Sequence, residues 1–193
     1  MILDRLLFVK CSFFLVLLAF GYNPHVLGQE DYRDGYIVRA NNDTLFGRVS
    51  NRRLGPFGGL HNKIKFKGKG LKKRYAPKNL IAYKKGDSIY RTLLLGDSPQ
   101  FLLVKTEGPV SHYNYYFQPD PASQLLLDTD YLQKGNGPLI RATQGVFGLK
   151  RKRLSSFFAD CPTLVIKIKN KEFKYVFEVV DFYNEWKKNP KTY

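Results

Sequence analysis

The residues of this sequence that could do chemistry are mainly cations. Between Arg48 and Arg91 there are fourteen lysines and arginines and a single acid, Asp87. Side chains of one charge at this density attract anions such as phosphates, carboxylates and sulfates. The candidate anion-binding residues in this segment are Lys63, Lys65, Lys67, Lys72, Lys73, Arg74, Lys84 and Lys85. Lysine outnumbers arginine among them, which favours diffuse attraction over bidentate recognition.

The same lysines have a second interpretation. Charged side chains keep the surface of a sheet soluble, and lysine on an edge strand discourages pairing with another chain. Like charges on neighbouring strands also repel each other, and an anionic partner would relieve that repulsion. The sequence leaves both interpretations open. Charge alone also does not separate lipid or polysaccharide from nucleic acid.

Residues that build common catalytic or metal sites are few. Outside the N-terminal segment there are two histidines, His61 and His112, and one cysteine, Cys161, without the spacing of a zinc site. No nucleophile-elbow pattern surrounds a serine. Asp128 and Asp130 fall on one face of a predicted strand, although such aspartates are more often solvated or paired with lysines than catalytic. The sequence therefore predicts no catalytic residue, no metal ligand and no cofactor.

The N-terminal segment has the organisation of a signal peptide. Arg5 and Lys10 stand before an apolar run, Cys11–Phe20, and a more polar stretch follows. Val26 and Gly28 suit the two positions that signal peptidase reads, so we expect cleavage after Gly28. The apolar run is shorter than the roughly 20 residues of a membrane-spanning helix, which argues against an anchor. The sequence thus predicts an exported protein, whether periplasmic, cell-surface or secreted, with no transmembrane span after cleavage.

Residues 1–28 are then the signal peptide, and residues 29–193 form a single mature domain with two parts. Short runs of strand-forming residues separated by Gly, Pro and Asn recur through residues 29–143. This predicts an antiparallel β-meander or a partly closed barrel or sandwich. Residues 144–193 carry apolar residues at helical spacing, which predicts two or three C-terminal helices. The predicted fold class is α+β.

The last predicted helix, Val176–Lys187, is the clearest element of the tail. Its apolar residues fall on one helical stripe, and a proline follows shortly after it. A shorter helix is predicted over Leu154–Phe158, and Pro162 suits the first turn of another. The end of Leu164–Lys169 alternates like a strand, yet its Leu and Ile also pair at helical spacing. The pattern alone leaves that segment open.

Several short segments together resemble a known group of proteins. They are Asp34–Val38 with Asp43–Gly47, Ala76–Tyr83, and Phe158–Leu164 with Lys169–Phe173 and Phe182–Asn184. They are similar to uncharacterised exported proteins of Bacteroidetes, in which a "GYIV…DTL.G" hairpin precedes a β-rich body and a "DCP.L…I.NKEF…YN" helical tail ends the chain. The resemblance covers nearly the whole mature domain and implies a helix over Leu164–Lys169. It implies no activity, so no catalytic residue follows from it.

The function predicted from these residues is that of a non-enzymatic basic domain outside the cytoplasm. Its partner would be an anionic lipid, polysaccharide or protein of the envelope or surroundings, and nucleic acid is not excluded. One alternative is a structural or assembly subunit of an envelope complex, which would expose a contiguous apolar patch. Another is an enzyme whose site is assembled by the fold from Cys161, a histidine or the paired aspartates. The sequence indicates neither the ligand nor the oligomeric state.

Overall fold

A computed structural model describes residues 31–51, 63–117, 127–143 and 148–189. The described residues, from Asp31 onward, belong to one compact unit. The predicted signal peptide and its cleavage site lie outside the described residues.

Ten antiparallel strands form one sheet in the described part of the chain. In chain order they are β1 Arg33–Arg39, β2 Thr44–Asn51, β3 Ile64–Gly68, β4 Leu71–Tyr75, β5 Leu80–Lys85, β6 Ser88–Leu95, β7 Ser98–Thr106, β8 Val110–Phe117, β9 Leu127–Lys134 and β10 Ile140–Arg141. A short 3-10 turn, Pro77–Asn79, joins β4 to β5. The prediction of a mainly antiparallel, β-rich body is confirmed.

The sheet consists of two meanders that lie side by side. Its strand order is β10-β9-β8-β7-β6-β5-β1-β2-β3-β4, so β5 pairs with β1 and not with β4. From β5 the chain continues from strand to neighbouring strand as far as β10. The pairing of β5 with β1 cannot be predicted from the hairpin patterns in the sequence. The alternation of side chains indicates which face of the sheet a residue takes, but it does not indicate which strand lies beside it.

Two glycines of the first hairpin allow its strands to approach their neighbours closely. Gly35 and Gly47 lie opposite each other in the register of β1 and β2. A Cβ atom on Gly35 would lie 1.9 Å from the carbonyl oxygen of Lys84, and one on Gly47 would lie 2.3 Å from that of Lys67. Any larger residue would push the adjacent strand away, so these glycines have a packing role.

Apolar side chains form two clusters on one face of the sheet, which we call the inner face. The first cluster lies on β1–β5 and β7 and contains Ile37, Val49, Ile64, Phe66, Tyr75, Leu80, Tyr83 and Phe101. The second lies between the far end of the sheet and the C-terminal helices, and includes Val110, Leu132, Leu154, Phe158, Leu164, Ile168, Val179 and Val180. Strand pairing from β1 through to β9 places both clusters on the same face.

Among the residues that the structure describes, three helices follow the sheet: α1 Arg151–Phe157, α2 Pro162–Lys169 and α3 Val176–Lys188. They confirm the predicted helical tail and the α+β class, and Leu164–Lys169 is helical. The inward-facing stripe of α3 is buried, with Val180 fully inaccessible to solvent. No helix in the described ranges is long and apolar enough to cross a membrane.

Polar contacts of Asp160 and Asn184 help to attach the helices to the sheet. The Asp160 carboxylate accepts hydrogen bonds from Lys134 Nζ at 2.5 Å and from the Tyr183 hydroxyl at 2.6 Å. The Asn184 side chain accepts a bond from the Val110 N–H at 2.8 Å and donates one to the Val110 carbonyl at 3.0 Å. These contacts give the tail segments 158–164 and 182–184 a structural role.

Candidate anion-binding face

The predicted lysines of β3 lie on the outer face of the sheet. The alternate residues of β3 are buried in the first apolar cluster, so Lys65 and Lys67 point the opposite way. In the register of β3 and β4, Lys65 lies opposite Arg74 and Lys67 lies opposite Lys72. Four of the eight predicted residues therefore meet on adjacent strands.

Strand β2 adds a fifth cation to this group, because Arg48 lies opposite Lys67. We call Arg48, Lys65, Lys67, Lys72 and Arg74 the basic face. Residues opposite each other on antiparallel strands have Cα atoms about 5 Å apart, so their like charges repel. The Asp34 carboxylate lies 4.0 Å from Arg48 Nε, and both side chains are well exposed. Such a surface pair contributes little to stability.

Local contacts orient part of the basic face. Lys67 Nζ lies 4.0 Å from the centroid of the Tyr32 ring, in a cation–π contact. Arg48 donates a hydrogen bond to the Tyr32 carbonyl oxygen at 3.2 Å. Lys72 and Arg74, on the edge strand β4, are exposed. The face therefore combines partly positioned cations on β2 and β3 with exposed cations on β4.

Lys73 of the predicted set does not join the basic face, and strand pairing assigns Lys63 to neither face. Lys63 precedes β3, so strand alternation does not set its direction. Lys73 lies opposite Phe66 in the strand register, which gives it the side of the sheet that carries the core. Its ammonium lies 5.5 Å from the centroid of the Tyr75 ring, two residues along the same strand.

The other two predicted residues, Lys84 and Lys85, take opposite faces of β5. Lys84 lies opposite Tyr36 of β1, on the outer face but away from β3 and β4. Lys85 Nζ bonds to the Asp31 carboxylate at 2.8 Å. Hydrogen bonds from Lys85 and then from Arg33 lower the pKa of the Asp31 carboxyl to about 2. Lys85 therefore already binds a carboxylate of the protein itself. Lys84 lies on the outer face next to the hairpin of β1 and β2.

An aromatic pair adjoins the basic face on β1 and β2. The rings of Tyr36 and Phe46 meet edge to face, with centroids 5.9 Å apart, and Phe46 is 68% exposed. A shallow groove at this place is lined by Asp34, Tyr36, Phe46, Arg48, Lys84 and Asp87, among others. Sequence reasoning did not single out Arg48 or Phe46. The sequence did carry a signal for them. Phe46 and Arg48 flank Gly47 on one strand, so both lie on the face opposite to the inward-facing glycine.

No family model, curated protein or solved structure matches the chain. The resemblance to exported Bacteroidetes proteins stays a prediction from the short segments quoted above. The function of the face is therefore argued from its geometry and charge.

A second group of polar residues lies on the inner face, where β8 pairs with β9. Asn114 Nδ2 donates hydrogen bonds to Asp128 at 2.9 Å and to Asp130 at 3.1 Å. His112 Nε2 lies 2.8 Å from the same oxygen of Asp130. His112 and Asn114 are each 4% exposed. The fold thus brings one histidine together with the paired aspartates. These are two of the three kinds of residue named in the enzyme alternative, and the third is Cys161.

The electrostatics of this polar group favour a structural network. Burial raises the pKa of Asp130, but hydrogen bonds from His112 and Asn114 outweigh burial and hold the pKa below its ordinary value. His112 Nδ1 is shielded from solvent and has no hydrogen-bond partner among the described residues. A general base must reach the proton that it removes, so a shielded nitrogen is poorly placed for catalysis. Cys161 lies in the helix-covered cluster, where burial raises the pKa of its thiol.

Proposed function

We propose that this protein is an exported, non-enzymatic domain that binds a polyanion through the basic face. The observation that carries the proposal is the strand register, which sets Arg48, Lys67 and Lys72 in one row across three strands. Lys65 and Arg74 form a neighbouring row. The formal net charge of the chain, +16, has the same sign and adds a long-range attraction for anions.

Protection of a sheet edge accounts for only part of this arrangement. Lysine on an edge strand discourages pairing with another chain, and β4 is such a strand. Strand β2 lies inside the sheet, between β1 and β3, yet it contributes Arg48 to the same row. Solubility alone is served by mixed charges, which would avoid the repulsion between opposed cations. An anionic partner would offset the repulsion along the row formed by Arg48, Lys67 and Lys72.

The strands that carry the basic face form, in this proposal, a partly closed barrel with the cations outside. Four strand spacings separate β4 from β5 in a flat sheet, which is about 19 Å. The link between them includes the 3-10 turn and reaches about 15 Å at most. Asn51 of β2 bonds to the hydroxyls of Tyr83 and Tyr90 on β5 and β6, at 3.1 and 3.4 Å. These contacts across the inner face support a curled sheet and an outward-curving basic face.

Export is the second half of the proposal, and the basic N-terminus followed by a short apolar run supports it. The expected mature protein starts at Gln29. Determining the N-terminal residue of protein recovered from culture supernatant and from the periplasm tests this directly. Recovery of an intact Met1 form in the membrane fraction would contradict it.

Two variants that each lose three positive charges test the binding function. One changes Lys67, Lys72 and Arg74 to glutamine, and the control changes Lys152, Arg153 and Lys187 to glutamine. All six side chains except Lys67 are exposed, so each variant should stay within about 1 kcal/mol of the parent in stability.

The readout is the salt concentration at which each protein elutes from immobilised heparin, since binding to a polyanion weakens as salt rises. The basic-face variant should elute at lower salt than the control, although both have the same net charge. Equal elution of the two variants would mean that net charge alone explains retention. The proposed role of the basic face would then be wrong.

A further inference from the structure

The groove beside the basic face combines three kinds of side chain. Phe46 offers an exposed aromatic ring, and Arg48 and Lys84 offer positive charge. Asp34 and Asp87 add carboxylates to the same lining, and the Asp34 side chain is 97% exposed. A site that only attracted anions would not need these two carboxylates.

An acidic sugar presents the complementary chemistry. Its ring has an apolar C–H face that can pack on an aromatic ring. Its hydroxyl groups donate hydrogen bonds, for which an ionised carboxylate is an acceptor. Its own carboxylate or sulfate can accept charge-assisted hydrogen bonds from arginine and lysine. A sugar unit of this kind uses every type of group in the groove.

Other polyanions use the groove less well. The phosphates of a linear polyphosphate only accept hydrogen bonds, so Asp34 and Asp87 would repel them without compensation. The surface of an anionic bilayer would repel the same carboxylates. The acidic side chains therefore favour a ligand that carries hydroxyl donors as well as negative charge.

We infer that the polyanion bound by this protein is an acidic polysaccharide. One sugar unit packs on Phe46, while Arg48 and Lys84 bind its anionic group. Arg48 belongs to both the groove and the basic face, so the next units of the chain reach Lys67 and Lys72 on the adjacent strands. The inference rests on the proposed function and specifies its ligand.

A single substitution separates ring packing from charge. Phe46→Ser removes the exposed ring, and Leu94→Ser is the matched control, since Leu94 is 64% exposed and lies on the opposite face. Binding is measured by titration against a polyuronate, a linear polyphosphate and vesicles that contain an anionic phospholipid. We expect Phe46→Ser to weaken polyuronate binding by about three- to tenfold, as loss of an aromatic contact does. Polyphosphate binding and the Leu94→Ser control should not change.

The outcomes distinguish this inference from the proposed function. If Phe46→Ser leaves polyuronate binding unchanged while the Lys67, Lys72 and Arg74 variant weakens it, the basic face binds by charge alone and the inference is overturned. A Phe46-dependent interaction with vesicles but not with polyuronate overturns it in favour of a membrane surface. If the basic-face variant and its charge-matched control bind every ligand equally, the proposed function itself fails.

Discussion

Replacing Asp160 with alanine should weaken the attachment of the helices to the sheet. Its carboxylate accepts hydrogen bonds from Lys134 Nζ at 2.5 Å and from the Tyr183 hydroxyl at 2.6 Å. Lys134 also donates to the Phe157 carbonyl at 2.6 Å. Its ammonium lies within 5.2 Å of the centroids of the Phe157, Phe158 and Tyr183 rings. Asp160 is thus the counter-charge of a lysine held among aromatic rings.

The size of the effect follows from what the alanine leaves unpaired. A hydrogen bond to a charged group contributes about 1.5–3 kcal/mol, and Tyr183, at 2% exposure, would lose such a bond. The ion pair between Lys134 and Asp160 contributes less to stability, because the Asp160 side chain is 43% exposed and solvent screens the interaction. We expect the free energy of unfolding to fall by about 1–3 kcal/mol. For a domain of this length the melting temperature should fall by about 2–4 °C for each kcal/mol.

The same contact predicts how the effect depends on pH. Burial raises the pKa of Asp160, but the hydrogen bonds from Lys134 and Tyr183 outweigh it and leave the pKa below its ordinary value of 3.8. The unfolded chain therefore takes up this proton first as the pH falls. The stabilisation by Asp160 is fully present above the unfolded pKa and disappears as the pH falls through the folded one. The difference between the parent and Asp160→Ala should shrink in acid.

Urea unfolding at pH 7 and at pH 3 measures both effects. Trp186 is the only tryptophan, and its ring centroid lies 5.5 Å from that of Tyr183, so its fluorescence reports on the docked helix. Asp181→Ala is the control, because it removes the same charge from an exposed position of α3. If the two variants lose the same stability at pH 7, the contact with Lys134 and Tyr183 does not hold the helices, and the reasoning fails.

Three further predictions concern the packing of the fold. Asn184→Leu leaves the Val110 N–H and carbonyl unpaired, and urea unfolding should show a loss of about 2–4 kcal/mol. Gly47→Ala should destabilise by more than about 2 kcal/mol, because its Cβ would overlap a strand carbonyl, whereas Gly70→Asn, in open space at a positive φ, should cost less than about 1 kcal/mol. The buried Cys161 thiol should react with a thiol reagent only on unfolding, and fast reaction in native buffer would contradict its burial.

The faces of the basic residues could be predicted only in part from the sequence. Strict alternation places Lys65 and Lys67 opposite the core, and the structure agrees. The side taken by Lys73 depends on the hairpin between β3 and β4. That turn has two residues, Lys69 and Gly70, both with positive φ, as in a type I′ hairpin, and this turn opposes Lys67 to Lys72. A turn of three residues would instead set Lys73 opposite Lys65, so only the two-residue turn directs Lys73 to the core side.

The polar group on β8 and β9 could not be predicted from local pattern for a different reason. Alternation places Asp128 and Asp130 on one face of β9, and it places His112 and Asn114 on one face of β8. It does not give the register between the two strands, which sets Asn114 opposite Asp130. A shift of one residue would have put the histidine and the aspartates on opposite faces.

The segments that carry the resemblance and the residues that carry the proposed function occupy different parts of the chain. The resembling segments supply contacts that build the fold, such as the close approach at Gly47 and the bonds made by Asp160 and Asn184. All five residues of the basic face lie outside those segments, and Phe46 falls at the unspecified position of the "DTL.G" pattern. In the proposed function, the residues that build the scaffold are therefore different from those that contact the ligand. We therefore expect proteins with the same motifs to share this fold while differing in which anion they bind.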